Sequence, residues 1–300
     1  MNILVTGANG QLGKCLYDEV YNENRVVLPD GIKWYFCGHD EVNIFDYEEI
    51  EGFVIENNID VIINCAAYTN VEKAEEDRDK AKEVNIYGTK NIASLSRDFG
   101  VFVIHISTDY IFDGNRPTPY KESDFPYPIN YYGNTKCYGE RELIDNASEY
   151  VILRTSLVYS EYGENILKKT IKVLESGSGK FTIDQTTSPT YARDLAHCIL
   201  LLLPYAHKGV RQILHFCDNG IATRYDFAVA VKELYFGEGS DIVVNPCKSE
   251  EFNTKAKRPP YSVLDNSLIR DVLELDIPYW RDSLKKCVKR LLDRVERGEI

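Results

Sequence analysis

The 300-residue chain predicts an α/β fold: a doubly wound parallel sheet with a smaller C-terminal lobe. Three observations carry this. Short unbroken apolar runs alternate with helix-length segments through the N-terminal half. The first run ends in a glycine-rich turn. The C-terminal half then loses the regular alternation. Unbroken apolar strands belong to a parallel sheet covered by helices on both faces.

The elements follow in order. Ile3 to Val5 reads as a buried strand and Gln11 to about Tyr21 as a helix. Trp34 to Cys37 is a second strand, followed by a helix around Tyr47 to Glu56. Val61 to Ile63 is a third strand. A long helix over Ala81 to Phe99 carries Val84, Ile92 and Leu95 on its apolar face. Val101 to Ile106 is a fourth strand. The loop from Asp113 to Asn130 holds Pro117, Pro119, Pro126 and Pro128, and long ordered loops are often functional. A helix from about Tyr132 to Ile144 and a strand from Val151 to Arg154 follow. Further on, helices are expected near Asn165 to Glu175, Ala192 to Leu203, Tyr225 to Tyr235 and Trp280 to Arg297. Short strands fit Phe181 to Ile183 and Gln212 to Phe216. The expected division is a sheet domain over 1–160, also including 186–217, and a lobe mainly over 161–300 that interleaves with it.

Bulk properties narrow the function. The net charge of -12 argues against a nucleic-acid partner, which would call for a basic face. Apolar runs are too short to span a bilayer, and no signal peptide precedes the first strand, so a cytoplasmic protein without a membrane partner is expected. The eight cysteines form no Cys-x-x-Cys pair and no zinc spacing with histidine, so they read as reduced, mostly buried thiols.

The first strand runs into Thr6-Gly7-Ala8-Asn9-Gly10-Gln11-Leu12-Gly13. Glycines at 7, 10 and 13 suit a tight turn, close approach to a pyrophosphate, and close helix–strand packing. The helix that opens there adds N–H donors and a positive dipole end. The sheet is therefore expected to be of Rossmann type, with Gly7, Gly10, Gln11, Leu12 and Gly13 binding a dinucleotide. After the second strand, Gly38-His39-Asp40-Glu41 offers mixed chemistry. His39 could approach a phosphate as in NADP; Asp40 or Glu41 could hold the ribose of NAD.

Tyr132 and Lys136 stand four apart, on one helical face. A neighbouring ammonium lowers a tyrosine pKa and can hydrogen-bond a nicotinamide ribose, while the phenol protonates a carbonyl oxygen. A third hydroxyl, Ser107 or Thr108, ends the fourth strand. Tyr-x-x-x-Lys alone is common by chance in a chain with 21 tyrosines. Its order after a glycine turn and a strand-end hydroxyl makes it specific. His105 reads as a core or interface residue.

With these residues the chain resembles the extended short-chain dehydrogenase/reductases and, more narrowly, the dTDP-4-dehydrorhamnose reductase family. The carrying segments are Val5 to Gly13, Asn64-Cys65-Ala66-Ala67-Tyr68-Thr69-Asn70-Val71-Glu72-Lys73-Ala74-Glu75, and Ser107-Thr108-Asp109-Tyr110-Ile111-Phe112-Asp113-Gly114. Tyr132 to Lys136, Arg154-Thr155-Ser156, Asp184-Gln185, Ser188-Pro189-Thr190, Arg258-Pro259 and Leu264-Asp265 extend the likeness over nearly the whole chain. The resemblance implies reduction by NADPH or NADH of the 4-keto group of dTDP-4-dehydro-L-rhamnose, giving dTDP-L-rhamnose. It implies Thr108, Tyr132 and Lys136 as catalytic residues. Asn43, Ile44, Ala66, Ala67 and Tyr68 would join the glycine turn, His39, Tyr132 and Lys136 around the cofactor. Thr108, Asp109, Leu157 and Arg258 would meet the nucleotide sugar in a substrate-binding lobe, with Lys257 and Arg258 near its diphosphate.

Three positions depart from the family. Leu157 stands where a tryptophan is frequent, Asn43 where an aspartate is common, and Cys15 where some members carry a carboxylate serving a metal-bridged dimer. No metal is expected; a homodimer is compatible with the resemblance. Two alternatives share the pattern: a nucleotide-sugar epimerase or dehydratase that retains its nicotinamide, and a non-catalytic regulator resembling the β subunit of methionine adenosyltransferase.

Overall fold

The computed structural model describes residues 1–23 and 25–299. Five strands, β1 (Asn2–Thr6), β2 (Lys33–Cys37), β3 (Val61–Asn64), β4 (Phe102–Thr108) and β5 (Tyr150–Thr155), join a sixth at Arg211–His215. All pair in parallel, in the order sixth-β5-β4-β3-β1-β2. Ile3, Leu4 and Val5 are fully buried, as a strand covered on both faces requires.

Helices cover each face. On one, α1 (Gln11–Asp18) and the Ala192–Leu202 helix bring Leu12, Leu16, Leu195 and Ile199 against Ile3, Val5 and Ile63. On the other, α2 (Tyr47–Asn57) and the helices at Thr89–Phe99 and Tyr131–Asn146 bring Ile50, Val54, Ile92, Leu95 and Leu143 against Leu4, Ile62 and Val103. The chain leaves β1 toward β2 on one side and resumes at β3 on the other. That reversal opens a crevice at the carboxyl ends of β1 and β3, where doubly wound sheets bind ligands.

A separate core gathers Leu167, Phe227, Trp280, Leu284, Val288 and Leu291. The Trp280–Glu296 helix buries Trp280, Leu284, Cys287, Val288 and Leu291, a 3.6-residue stripe.

The structure revises several sequence expectations. The long helix starts at Arg78 instead of Ala81 and passes through a π-helical turn at Glu83–Gly88 before Thr89–Phe99. The strand expected at Phe181 to Ile183 lies at Ser178–Thr182, paired in parallel with Val243–Cys247. Gly179 and Lys180 dilute the first signal, and Pro246 masks the second strand because proline suits only a sheet edge. Short helices at Val71–Ala74 and Ser267–Leu273 have too few residues to show a period. The Asp113 to Asn130 loop lines no part of the cavity described below. Its Gly114 packs on Pro259 and Pro260, and its Tyr120 N–H donates to the Val263 carbonyl at 2.8 Å. Among the described residues no helix is long and apolar enough to cross a membrane.

Candidate active site

A cavity of about 1170 Å³ runs from the glycine turn to the second core. It is lined by Gly7, Gly10, Gln11, Leu12, Gly13, His39, Asn43, Ile44, Ala66, Ala67, Tyr68, Thr108, Asp109, Tyr132, Lys136, Leu157 and Arg258. Apart from Lys257 and the ribose candidates Asp40 and Glu41, the residues singled out from the sequence for catalysis or binding therefore share one surface. Lys257 is not among the lining residues; its carbonyl accepts from Asn130 Nδ2 at 2.9 Å.

The turn after β1 depends on glycine at two places. Gly7 has φ +66°, and a Cβ there would lie 2.6 Å from the Ala66 nitrogen after β3. A Cβ on Gly13 would lie 2.5 Å from Ala8 Cα. Helix α1 opens with Gly10 as an N-cap that supplies no side-chain acceptor, and no acidic residue occupies its first turn. Its leading N–H groups and dipole thus remain available to an anion. Close backbone walls and an uncapped helix end fit the pyrophosphate of a nicotinamide dinucleotide.

After β2, the Gly38 N–H donates to Glu41 Oε2 at 2.5 Å, so that carboxylate is spent on its own loop. Neither Asp40 nor Glu41 lines the cavity, whereas His39 does, stacked on Phe45 with centroids 6.4 Å apart. The loop after β3 is clamped by Asn85, which the sequence reading missed. Its Oδ1 accepts from the Tyr68 N–H at 2.9 Å, and its Nδ2 donates to the Tyr68 carbonyl at 3.1 Å and to Thr135 Oγ1 at 3.0 Å.

The two hydroxyls ending β4 separate in role. Ser107 lines the cavity, but its Oγ donates to the buried Glu140 Oε1 at 2.5 Å. Thr108 hydrogen-bonds the Tyr132 phenol and lies 3.1 Å from Asp109 Oδ1. Burial pushes the Tyr132 phenol up, opposed by the Thr108 hydrogen bond. The sequence expectation was the reverse, a phenol drawn down by Lys136. Lys136 Nζ is instead held by the Ile106 carbonyl at 2.7 Å and His105 Nε2 at 3.1 Å. Burial lowers the Lys136 ammonium to about 8, with Glu140 and Cys65 opposing.

Asp109 is buried, and its carboxylate is surrounded by hydroxyls. Oδ2 accepts from Ser262 at 2.5 Å, Ser156 at 2.8 Å and Thr187 at 3.3 Å. Burial raises its pKa and these hydroxyls oppose the rise. Asp109 thus ties β4 to the segments at 187 and 262. Leu157 sits in the left-handed region at φ +41°, a conformation that costs a branched residue about 1–3 kcal/mol. Arg258 is partly neutralised by Glu72 at 3.4 Å.

Arg224 also lines the cavity, beside Leu157, Gln185 and Asp109. Its Nη1 is buried with no hydrogen-bond partner. The signal for it was the Thr223-x-x-Asp226 capping box, which puts residue 224 first in the Arg224–Val231 helix.

A doubly wound parallel sheet, a glycine turn at its switch point and a strand-end hydroxyl facing a Tyr-x-x-x-Lys helix define a nicotinamide-dependent short-chain dehydrogenase/reductase. The family model "RmlD substrate binding domain" matches residues 1–293. The dTDP-4-dehydrorhamnose reductase of Mycolicibacterium smegmatis is 33% identical, covering 99% of this chain and 88% of its own length. That of Escherichia coli is 32% identical, covering 97% and 98%. A crystal structure of a dTDP-4-dehydrorhamnose reductase from Clostridium acetobutylicum superposes with a TM-score of 0.88 at 35% identity, covering 97% of this chain and 100% of that one. One from Bacillus anthracis, solved in complex with NADP, gives 0.86 at 33%, covering 96% and 99%. The chain belongs to the dTDP-4-dehydrorhamnose reductase family.

Proposed function

We propose that this chain reduces the 4-keto group of dTDP-4-dehydro-L-rhamnose to give dTDP-L-rhamnose. The observation that carries the reading is the convergence of Thr108, Tyr132 and Lys136 with the glycine turn on one cavity, in a chain of this family. The nicotinamide cofactor, when bound, supplies the hydride. Gly7, Gly10 to Gly13, His39, Asn43, Ile44 and Ala66 to Tyr68 would hold it, with Lys136 on its ribose. Tyr132 donates its phenolic proton to the keto oxygen. Its raised pKa keeps the phenol protonated until negative charge develops on that oxygen. Thr108 orients the carbonyl from the other side.

The absence of a carboxylate from the β2 loop at the cavity, together with the NADP complex of the Bacillus anthracis relative, favours NADPH over NADH. A higher kcat/KM with NADPH is expected, and equal values would remove that preference. Eight free cysteines, with burial raising Cys37 to about 11 and Cys65 to about 12, suit a reducing cytoplasm.

The direct test is NADPH oxidation with freshly generated dTDP-4-dehydro-L-rhamnose, with the product identified by mass and NMR. A folded protein that binds NADPH but does not turn over this substrate would overturn the reading. Arg224 is assigned to the anionic or hydroxyl-rich part of the nucleotide sugar, since its unpartnered Nη1 needs an acceptor. Arg224→Gln is expected to raise the substrate KM about tenfold with a smaller change in kcat, the scale of one charge-assisted hydrogen bond. An unchanged KM would free Arg224 from this role.

A further inference from the structure

Three polar residues form a row inside an otherwise apolar part of the sheet. In register, Thr6 of β1 pairs with Asn64 of β3, and Asn64 with His105 of β4. All three are buried. Thr6 Oγ1 donates to Asn64 Oδ1 at 2.8 Å, Asn64 Nδ2 lies 3.0 Å from His105 Nδ1, and His105 Nε2 lies 3.1 Å from Lys136 Nζ. The row ends on the lysine proposed to serve the cofactor and the proton chemistry.

Hydrogen-bond bookkeeping along the row depends on the charge of Lys136. An ammonium has only donors, so His105 must offer it a lone pair at Nε2. The ring proton then sits on Nδ1 and donates to the Asn64 carbonyl oxygen, with the amide turned over. When Lys136 is a neutral amine, Nε2 can carry the proton and donate to it, and Nδ1 accepts from the Asn64 NH2. Thr6 serves either orientation, because its hydroxyl both donates and accepts. Burial and the neighbouring Lys136 both work against a doubly protonated ring and hold the His105 pKa well below its ordinary value. The other groups facing Lys136 are Glu140 on its own helix and Cys65 after β3.

We propose that His105, backed by Asn64 and Thr6, is a positioning residue that holds the Lys136 ammonium by a tautomer matched to its protonation state, and thereby sets the pH above which the enzyme loses activity. With the ammonium, and its full set of donors for the cofactor ribose, as the active form of Lys136, activity is expected to fall as pH rises through the Lys136 titration. Loss of the Nε2 acceptor destabilises the charged form and moves that basic limb to lower pH. The proposal rests on the reductase reading for its kinetic arm and on the structure alone for its spectroscopic arm.

The kinetic arm compares pH profiles of kcat/KM. His105→Gln can place an amide oxygen near the Nε2 position and is expected to leave the limb in place. His105→Asn and His105→Leu cannot reach Lys136 and are expected to lower the limb by about one pH unit, the scale of one hydrogen bond to a charged group. A limb that stays put in Asn and Leu variants, or shifts equally in all three, overturns the proposal. The spectroscopic arm follows the 15N shifts of the histidines in the free, unmutated protein. The His105 Nε2 resonance is expected to change from the lone-pair to the N–H range as pH rises through the Lys136 titration, and to stay constant in Lys136→Met. A static tautomer in the unmutated protein overturns the proposal while leaving the reductase reading intact. The expected tautomer change in a protein without turnover on the sugar nucleotide supports the His105–Lys136 coupling and overturns the reductase reading.

Discussion

Tyr132→Phe is expected to lower kcat by about 10²- to 10⁴-fold, the usual worth of a positioned proton donor. The substitution removes one oxygen and keeps the ring, which lies edge-on to Tyr110 with centroids 6.1 Å apart. Packing at the start of the Tyr131–Asn146 helix should therefore survive. NADPH binding should persist as well, since the glycine turn, the α1 N-terminus and Lys136 are untouched. Titrating NADPH fluorescence and measuring steady-state kcat in parallel separates the two effects. A variant with near-normal kcat would take the proton-donor role away from Tyr132.

Glu140→Leu is expected to destabilise the fold by about 3–5 kcal/mol, a large share of the roughly 5–15 kcal/mol that holds a domain together. Glu140 and Arg154 are both almost fully buried, with Arg154 Nη2 donating to Glu140 Oε2 at 2.7 Å and Nε donating to Oε1 at 3.0 Å. Ser107 Oγ donates to the same carboxylate. Removing the carboxylate leaves a buried guanidinium whose remaining contacts are the Glu122 carbonyl at 3.4 Å, His215 Nε2 at 3.3 Å and the Phe112 ring at 5.5 Å, none of which carries a compensating negative charge. The desolvation cost of that unpaired charge is the source of the loss. The double variant Glu140→Leu, Arg154→Met should recover most of the stability in urea denaturation, because it removes both charges. It should not restore the pH profile, since Glu140 also raises the Lys136 pKa from one helical turn away. A single variant as stable as the parent would show that the orphaned Arg154 guanidinium carries no such cost.

These two side chains share a helix yet differ in how visible they are in the sequence. Tyr132 stands in a spaced pair with Lys136, after a glycine turn and a strand-end hydroxyl. Glu140 looks like any helical carboxylate until Arg154 and Ser107 are brought to it from β5 and β4. The same holds for Asp109. Its place in a strand-end motif was legible, but its surrounding hydroxyls come from residues as far along as Ser262, 153 positions away.

By itself the sequence determined what local rules control. Apolar runs and 3.6-residue stripes placed the sheet strands and the main helices, and the glycine turn marked the end of the cavity proposed to take the cofactor. The ordered motifs identified the reductase family. These signals are local because strand burial, helix periodicity and turn chemistry each act over a few residues. Tertiary structure decided the rest. It sent Ser107 to Glu140 and Thr108 to Tyr132, turned Glu41 away from the cavity, and brought Arg224 to it. It pushed the Tyr132 phenol up where charge proximity alone predicted a fall, because burial outweighs the hydrogen bond from Thr108. It also gave His105 a partner 31 residues away in Lys136. No local pattern encodes these outcomes. They arise from the register of β1, β3 and β4 and from the helix packed across them, which put distant polar groups within hydrogen-bond reach in a medium where an unpaired one is costly.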